Sequence, residues 1–367
     1  MSVISVVVLA FSLLGAIDYL IGNKLKIGKE FERAFALFCP MALSMLGMLV
    51  IAPAVGAWLT PVFDGFYRLF GIDPSIIPAS LFANDMGGMS IAQSICKTES
   101  MGGFNAFVVS SMMGCVISFT IPFSIGIVKK EQHKELFFGL LCGIVTVPVG
   151  CFVAGLMCGL SVFALFLDLL PLVLLSALLG ALLLLVPDKC MRCFAVFGTF
   201  MRVVGVVGLL LAIFTFLTKV QISPYFDSLE NAAFVCVNAA VTLSGMLPLM
   251  AIVARLLDKP LRALGAKLGI NSVATLSLFA LLVTNASSFG VMEKMDKKGV
   301  VINAAFAVSA SFVFGSHLAF TMAFDGSYLL PMIVGKLISG VCAVILALWI
   351  YKGDKTDTEH DRNTSNT

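Results

Sequence analysis

Two short stretches decide the fold, 81-LFANDMGGMS-90 and 281-LLVTNASSFG-290. Each lies in an apolar run long enough to cross a bilayer, at residues 72–97 and 270–292, and each has small and polar residues where an ordinary span would hold leucine. Non-helical backbone is tolerated at membrane depth only where it is buried in protein or lines a cavity. The two stretches therefore predict broken or re-entrant helices.

The whole chain has the composition of a membrane protein. Of its 367 residues, 59% are hydrophobic and only 12% are charged, and the mean hydropathy is +1.04. Such a surface faces lipid, so the sequence predicts an all-α polytopic membrane protein. Besides the two broken segments, nine apolar runs of spanning length lie at residues 2–22, 36–59, 104–128, 136–160, 164–186, 197–218, 231–256, 300–323 and 328–350.

Basic residues predict the topology, because short cytoplasmic loops carry an excess of Lys and Arg. If the two broken segments return to the side from which they entered, all six basic clusters become cytoplasmic. This gives nine full crossings of the inner (cytoplasmic) membrane, with the N-terminus outside and the C-terminus inside. The clusters are Lys24 to Arg33, Lys129 to Lys134, Lys189 to Arg202, Arg255 to Lys267, Lys294 to Lys298, and Lys352 with Lys355.

The two halves of the chain resemble each other at an offset of 198 residues. Gly71-Ile72-Asp73 corresponds to Gly269-Ile270-Asn271, and Asn105-Ala106 corresponds to Asn303-Ala304. Five predicted crossings separate the equivalents, so the second repeat is inverted relative to the first, as in many secondary transporters. The predicted units are a first transmembrane repeat at 1–196, a second at 197–351, and a disordered cytoplasmic tail at 352–367.

The first broken segment supplies the main candidate for substrate binding, Asp85. A carboxylate at this depth costs about 2.5–3.5 kcal/mol on insertion scales and usually faces a cavity or a cationic partner. Asn84 flanks it, and Gly87 and Gly88 allow the backbone to turn and to approach a small ligand. The alternative is that Asp85 caps a half-helix or lies in an aqueous mouth.

Further candidates come from the second half. Asn285, Ser287 and Ser288 offer neutral hydrogen-bonding groups that suit a hydroxyl or an ammonium, or they serve as packing contacts. His317 is a candidate for substrate binding or proton handling, or it bonds a neighbouring carbonyl. We expect two other charged residues, Asp18 and Lys336, to reach the membrane interface from span ends.

No motif indicates an enzyme, a cofactor or a metal site. The chain has no G-x-x-x-x-G-K-[ST] loop, which excludes ATP-driven transport within this polypeptide, and no zincin or nucleophile-elbow signature. Cys190 and Cys193 lack the second pair that a zinc site needs. The net charge of +3 is too small to indicate a nucleic-acid partner. The expected partners are membrane lipid and a small-molecule substrate, with the oligomeric state left open.

Four longer runs follow one another in the order seen in one known family, over nearly the full length. They are Leu43 to Ala92, which contains GIDPSIIPASLFANDMGG; LLCGIVTVPVGC from Leu140 to Cys151; KMDKKGVVINAAFAVSASFVFGSHLAF from Lys294 to Phe320; and PMIVGKLISG from Pro331 to Gly340. In these runs the chain resembles the ethanolamine utilisation protein EutH family, the ethanolamine transporters of bacterial ethanolamine-utilisation operons.

This resemblance implies transport of ethanolamine, as the ammonium cation, across the cytoplasmic membrane by facilitated or potential-driven alternating access. The acidic residue of the DMGG motif carries over to Asp85, and the histidine of the G-x-H-L motif to His317. Ser316 stands where the resemblance leads us to expect Asp, and VTNASSFG also departs from the family pattern. The alternatives are a cation-coupled secondary transporter of another small amine or organic solute, and a non-transporting membrane scaffold, against which the paired broken segments argue.

Overall fold

The described residues of the protein form helices joined by turns and loops. The computed structural model describes residues 3–351, which contain no strand, so the predicted tail at 352–367 lies outside the described residues. The all-α prediction is confirmed. The α-helices are α1 (Val3–Leu20), α2 (Gly28–Ala36), α3 (Phe38–Phe70), α4 (Ile76–Leu81), α5 (Gly88–Ile95), α6 (Glu99–Phe104), α7 (Ile121–Ile127), α8 (His133–Met157), α9 (Val162–Leu185), α10 (Pro187–Thr218), α11 (Leu229–Leu256), α12 (Asp258–Leu268), α13 (Ser272–Leu281), α14 (Asn285–Phe289), α15 (Lys297–Ala310), α16 (Ser316–Phe324) and α17 (Leu329–Ile350).

Within residues 3–351, seven helices are long and apolar enough to cross a membrane, and an eighth span results if α12 and α13 count as one. Those two helices are bent by 118° relative to each other. The multi-pass membrane architecture is therefore confirmed, whereas nine full crossings plus two broken segments stays a prediction. The seven helices are Gly28–Phe70, Glu99–Ile127, Lys130–Met157, Val162–Leu185, Pro187–Thr218, Leu229–Leu256 and Gly326–Ile350.

The Glu99–Ile127 helix forms the centre of the bundle. It joins α6 to α7 through two stretches of π-helix, Asn105–Gly114 and Val116–Thr120. A π-helix uses i→i+5 hydrogen bonds and often occurs at functional sites. The residues from 101 to 118 are all buried, because α4, α5, α8, α15 and α17 pack around this helix.

The first broken segment is a hairpin, referred to below as the first hairpin (residues 72–97), with α4 leading in and α5 leading out. Its two ends are joined by Asp73, whose Oδ2 accepts hydrogen bonds from the backbone N–H of Lys97 at 3.0 Å and of Thr98 at 3.3 Å. The prediction of a broken helix is confirmed here. Because the entry and the exit of the hairpin lie side by side, the segment leaves the bundle at the same end at which it entered.

The second broken segment has the same form and is referred to below as the second hairpin (residues 270–296). Asn271 joins its ends, because its Nδ2 donates to Lys294 O at 2.8 Å and its backbone N–H donates to Asp296 Oδ1 at 2.8 Å. This broken helix is also confirmed. Asn271 and the Asp296 carboxylate together thus do for the second hairpin what the Asp73 carboxylate does for the first.

The expected uninterrupted span from 300 to 323 is wrong, because α15 ends at Ala310 and α16 begins only at Ser316. Phe312 adopts a left-handed φ of 63° in the gap. Its N–H donates to Leu281 O at 3.1 Å, and Phe314 N donates to Leu282 O at 2.8 Å. The carbonyls at the end of α13 would otherwise lack partners, so the break satisfies them. An apolar run of small and aromatic residues gives no sign of this tertiary pairing.

Asp18, which we expected to reach the membrane interface from a span end, lies two residues before the end of α1 with its side chain turned into the protein. Asp18 is fully buried, and its carboxylate accepts hydrogen bonds from the backbone N–H groups of Leu25 at 2.7 Å, Ile27 at 2.9 Å and Gly28 at 2.8 Å. The first N–H groups of a helix have no partner within the helix, and a carboxylate is favoured there. Asp18 therefore fastens the start of α2 to the end of α1.

Candidate functional site

Asp85 lies at the tip of the first hairpin, in a 3₁₀ turn (Asn84–Met86) between α4 and α5. The residue as a whole is partly exposed, and its carboxylate accepts a hydrogen bond from the Ser316 hydroxyl. Asn84 is completely buried; its Oδ1 accepts the Asp85 N–H at 2.9 Å, and its Nδ2 has no partner among the described residues. The sequence-predicted pair therefore occupies one turn, with Asp85 as the more exposed residue.

The two glycines after Asp85 shape this tip. Gly87 has φ of 90°, which residues with a Cβ rarely adopt. At Gly88, an added Cβ would lie 2.1 Å from Phe82 O and 2.7 Å from Ala83 O. The glycines thus allow the chain to turn back tightly onto its own backbone. The close backbone approach that we predicted for a ligand is made here to the carbonyls of Phe82 and Ala83.

The tip is held against the central helix at two points. Ala83 N donates to Ser118 Oγ at 3.0 Å. One turn earlier, Gly114 leaves room for the end of α4, since an added Cβ would lie 2.1 Å from Phe82 O. The position of Asp85 is therefore set by the backbone on its N-terminal side resting on residues 114–118.

Ser316 and His317 come from the start of α16, directly after the break at 311–315. The break turns the chain, so both residues lie beside the first hairpin, in line with the contact of α16 with the 3₁₀ turn. His317 is 1% exposed, and its ring lies 5.1 Å from that of Phe312, centroid to centroid. That Ser316 and His317 bind substrate together with Asp85 stays a prediction. The structure does bring the Ser316 hydroxyl into hydrogen-bond contact with Asp85.

The expectation that Lys336 reaches the membrane interface is wrong, because the residue is 1% exposed and its side chain is hydrogen-bonded inside the bundle. Its Nζ donates to Ser111 O at 2.5 Å and lies 3.1 Å from His317 Nδ1. The available signal was its position in α17, since a lysine seven residues from the nearer end of a 22-residue apolar helix is about two turns deep. Snorkelling to the surface is not open to it at this depth.

Asp85, Ser316, His317, Lys336 and Ser111 are referred to below as the Asp85 cluster. The Lys336 ammonium is within electrostatic reach of the Asp85 carboxylate, yet its hydrogen bonds go to a carbonyl and an imidazole, both neutral acceptors. One positive and one negative group thus share a buried region without bonding directly. This leaves Asp85 able to accept a second cationic group.

The second hairpin contributes unequally. Asn285 is fully buried and its Nδ2 lies 3.4 Å from Thr120 Oγ1 of the central helix. Ser288 is buried and hydrogen-bonds Ser277 Oγ at 2.5 Å within the same hairpin, while Ser287 is exposed and bonds Thr284 O at 3.2 Å. Of the three predicted residues, Asn285 alone is joined to the central helix by these bonds.

The chemistry available is that of recognition. The Asp85 carboxylate can accept hydrogen bonds from a small polar cation, and the Ser316 hydroxyl can orient it, while the Lys336 amine is held away on Ser111 O. No cluster of three or more metal-ligating side chains occurs within residues 3–351. A separate cavity of about 1150 Å³, with a basic lining that includes Lys129, Lys130, Lys134 and Arg192, opens at the far end of the central helix, away from the Asp85 cluster.

Comparison with known proteins gives one consistent family. A family model described as "Ethanolamine utilisation protein, EutH" matches residues 1–350. The chain is 38% identical over 340 residues to "Probable ethanolamine permease EutH" of Listeria monocytogenes, covering 93% of this chain and 91% of the relative. It is 36% identical to "Uncharacterized protein YxeR" of Bacillus subtilis, with 93% and 92% covered, and 33% identical to the probable ethanolamine permease of Escherichia coli, with 90% and 88% covered. No solved structure matches the chain.

Proposed function

Because the chain belongs to the ethanolamine utilisation protein EutH family, we propose that it carries ethanolamine, as the ammonium cation, across the cytoplasmic membrane. It acts as a transporter and not as an enzyme. Movement is facilitated or driven by the membrane potential, through alternating access around the tips of the two hairpins. The relatives that carry a permease name support the substrate, and the Asp85 cluster supports the chemistry.

The observation that carries this proposal is the carboxylate of Asp85, a partly exposed residue at the tip of a hairpin inside a helical bundle. An ionised group at such a depth usually faces a cavity or a cation. Ethanolamine offers an ammonium at one end and a hydroxyl at the other. Asp85 receives the ammonium, and Ser316 and Asn285 are the candidate partners of the hydroxyl, while Asn84, Gly87 and Gly88 fix the tip that carries Asp85.

The membrane potential is a sufficient driving force. Moving one positive charge across 100 mV is worth about 2.3 kcal/mol. At about 1.4 kcal/mol for each factor of ten, this concentrates the cation about fiftyfold. Uniport of the ammonium form therefore accounts for uptake without a second ion.

The architecture that fits this function is a pair of inverted repeats, residues 1–196 and 197–351, each with one re-entrant hairpin. The bounds of the helices support it: α3 ends at Phe70 and α12 ends at Leu268, while α6 begins at Glu99 and α15 begins at Lys297, each pair 198 residues apart. Gly71 and Gly269 cap α3 and α12 with left-handed φ values of 67° and 65°. If both hairpins are re-entrant, the basic clusters all lie on the cytoplasmic side, and the C-terminus is then cytoplasmic as well.

The decisive experiment is the Asp85→Asn substitution, which keeps the shape of the side chain and removes its charge. Uptake of labelled ethanolamine is measured at low external concentration and mildly acidic pH, where passive entry of the neutral amine is least. We expect Asp85→Asn to abolish protein-dependent uptake at an unchanged amount of protein in the membrane. Asp64→Asn, an exposed carboxylate paired with Lys97, is the matched control and should transport normally.

Normal uptake by Asp85→Asn would remove Asp85 from the site. Competition then separates this substrate from the alternative, a cation-coupled carrier of another solute. Small protonated amines should compete with labelled ethanolamine, and carboxylates should not. If no amine competes and no uptake depends on the protein, ethanolamine is not its cargo.

A further inference from the structure

The large basic cavity at the end of the central helix has no part in the proposed binding of a cation. It has a volume of about 1150 Å³ and is lined by the ends of α7 and α9 and by the starts of α8 and α10. Its charged lining is mostly positive. The cationic side chains are Lys129, Lys130, Lys134, Arg192 and Lys297, and the carboxylates are Glu135 and Asp188. Such a lining repels an ammonium ion, so the cavity suits an anion.

Three of these cations have a charge to offer to a ligand. Lys129 is already paired with Glu293, its Nζ 2.6 Å from Oε2. Lys130, Lys134 and Arg192 are exposed, and none of the three forms an ion pair within the part of the chain that the structure describes. The two lysines lie at or just before the start of α8, whereas the arginine belongs to α10. Two parts of the chain thus bring positive charge to one cavity, where a phosphate group can accept hydrogen bonds from both.

The apolar part of the lining reaches the lipid-facing surface. Phe138 and Leu141 of α8 and Leu183 and Leu184 of α9 line the cavity. Leu184 is 64% exposed, and the adjacent Leu185 is 79% exposed. Because α9 is long and apolar enough to cross a membrane, exposed leucines on it face acyl chains. The cavity therefore joins a basic region to a surface in contact with lipid.

The position and the size of the cavity favour a lipid over a small soluble anion. Since α9 ends at Leu185 and α10 begins at Pro187, the cavity lies where two membrane helices end, at the level of the lipid headgroups. Its volume exceeds the range of about 300–1,000 Å³ that is typical of pockets for drug-sized ligands, so inorganic phosphate would fill only a small part of it. Basic pockets between transmembrane helices on the cytoplasmic side bind anionic headgroups, and the basic clusters predict that side for this end of the protein.

We propose that this cavity binds one anionic phospholipid of the cytoplasmic leaflet. Its phosphodiester accepts hydrogen bonds from Lys130, Lys134 and Arg192, and its acyl chains lie against Phe138 and Leu184. The bound lipid joins the start of α8 to the start of α10 through one phosphate, and it therefore stabilises the folded protein. The site is independent of the proposed transport function, since ethanolamine takes no part in it.

Binding is tested on the full chain, purified in detergent and freed of lipid. The melting temperature is measured against increasing concentrations of phosphatidylglycerol, which is anionic, of phosphatidylcholine, which is zwitterionic, and of inorganic phosphate. We expect phosphatidylglycerol to raise the melting temperature to a plateau, and the other two to leave it unchanged. Equal stabilisation by phosphatidylcholine would overturn the basic site, and full stabilisation by inorganic phosphate would overturn the lipid as its occupant.

A pair of double variants tests the cationic side chains. Lys134→Gln with Arg192→Gln removes two exposed cations from the cavity and should weaken the binding of phosphatidylglycerol about thirtyfold. Lys259→Gln with Lys267→Gln is the matched control, because it removes two exposed cations from α12, outside the cavity. The control should bind as the wild-type protein does. Equal affinities of the two double variants for phosphatidylglycerol would contradict the proposal.

A third variant separates binding inside the cavity from attraction to the basic surface around it. Ala195 of α10 lines the cavity, and Ala195→Trp places a large ring there without changing any charge. We expect this variant to bind phosphatidylglycerol at least tenfold more weakly than the wild-type protein. If its affinity is unchanged, the lipid is attracted to the surface and does not enter the cavity, which overturns the proposal.

Discussion

Replacing Gly114 by alanine should move the tip of the first hairpin, the proposed substrate site, although Gly114 lies outside that tip. The added Cβ would lie 2.1 Å from Phe82 O and 2.5 Å from Ala79 O, and ordinary contact begins at about 3.4 Å. The end of α4 must therefore retreat by about 1.3 Å, the difference between 3.4 and 2.1 Å. Asp85 follows three residues after Phe82, so its carboxylate moves with it. A misplacement of about 1 Å at a binding centre can cost about 100-fold in rate.

The assay is initial uptake of labelled ethanolamine into vesicles at a fixed membrane potential, with the rate divided by the amount of inserted protein. Overpacking of this contact should also destabilise the protein by about 1–3 kcal/mol. The matched control is Gly126→Ala on the same central helix, where an added Cβ meets nothing within 4 Å. That variant should transport normally and should melt no lower than the wild-type protein. Gly114→Ala with unchanged uptake would refute the idea that residues 114–118 set the position of Asp85.

Three further predictions concern the supports of the fold. Asp18→Asn should lower the free energy of unfolding by about 1–3 kcal/mol, because the buried bonds to backbone N–H groups lose their charged acceptor; chemical denaturation measures this, and an unchanged midpoint contradicts it. Lys129 lowers the pKa of Glu293 by hydrogen bonding and by its charge. The ion pair therefore stabilises the protein above the ordinary pKa of Glu293, and this stabilisation is lost as the pH falls through the lowered pKa. The difference in melting temperature between the wild type and Glu293→Gln should vanish in acid, and a difference that does not depend on pH would contradict this. A cysteine at Lys97 should react with an impermeant reagent from outside and a cysteine at Lys294 only from inside; labelling of both from one side would overturn the re-entrant topology.

The sequence predicted those features that depend on local composition. Long apolar runs predict membrane helices whatever their neighbours are, and polar residues inside such runs predict breaks, which is why the hairpins around Asp85 and Asn285 could be foreseen. The break after Ala310 could not, because it depends on carbonyls of α13 that are distant in sequence. Its own residues, SFVFG, are mostly apolar and satisfy every local criterion for a span.

The charged residues also divide into those whose position follows from the local sequence and those whose position depends on residues distant in sequence. Asp85 stands beside glycines, and this local pattern predicts a functional turn. Asp18 and Lys336 stand in ordinary apolar surroundings, so the sequence favours snorkelling. Their buried partners, the N–H groups before α2 for Asp18 and Ser111 O for Lys336, belong to other elements and become visible only in the folded chain.

The buried ammonium changes how the membrane potential acts on transport. In the proposed transport cycle, an ionised Lys336 beside an ionised Asp85 makes the empty site close to neutral, and binding of ethanolamine adds one positive charge. The potential then acts mainly on the loaded carrier and drives it inward, while the empty carrier returns against little electrical work. A carboxylate alone would give the opposite arrangement, with a neutral loaded carrier and a negatively charged empty one. Because Lys336 bonds Ser111 O and His317 and not Asp85, the proposed mechanism leaves the carboxylate free for the substrate and balances its charge while the site is empty.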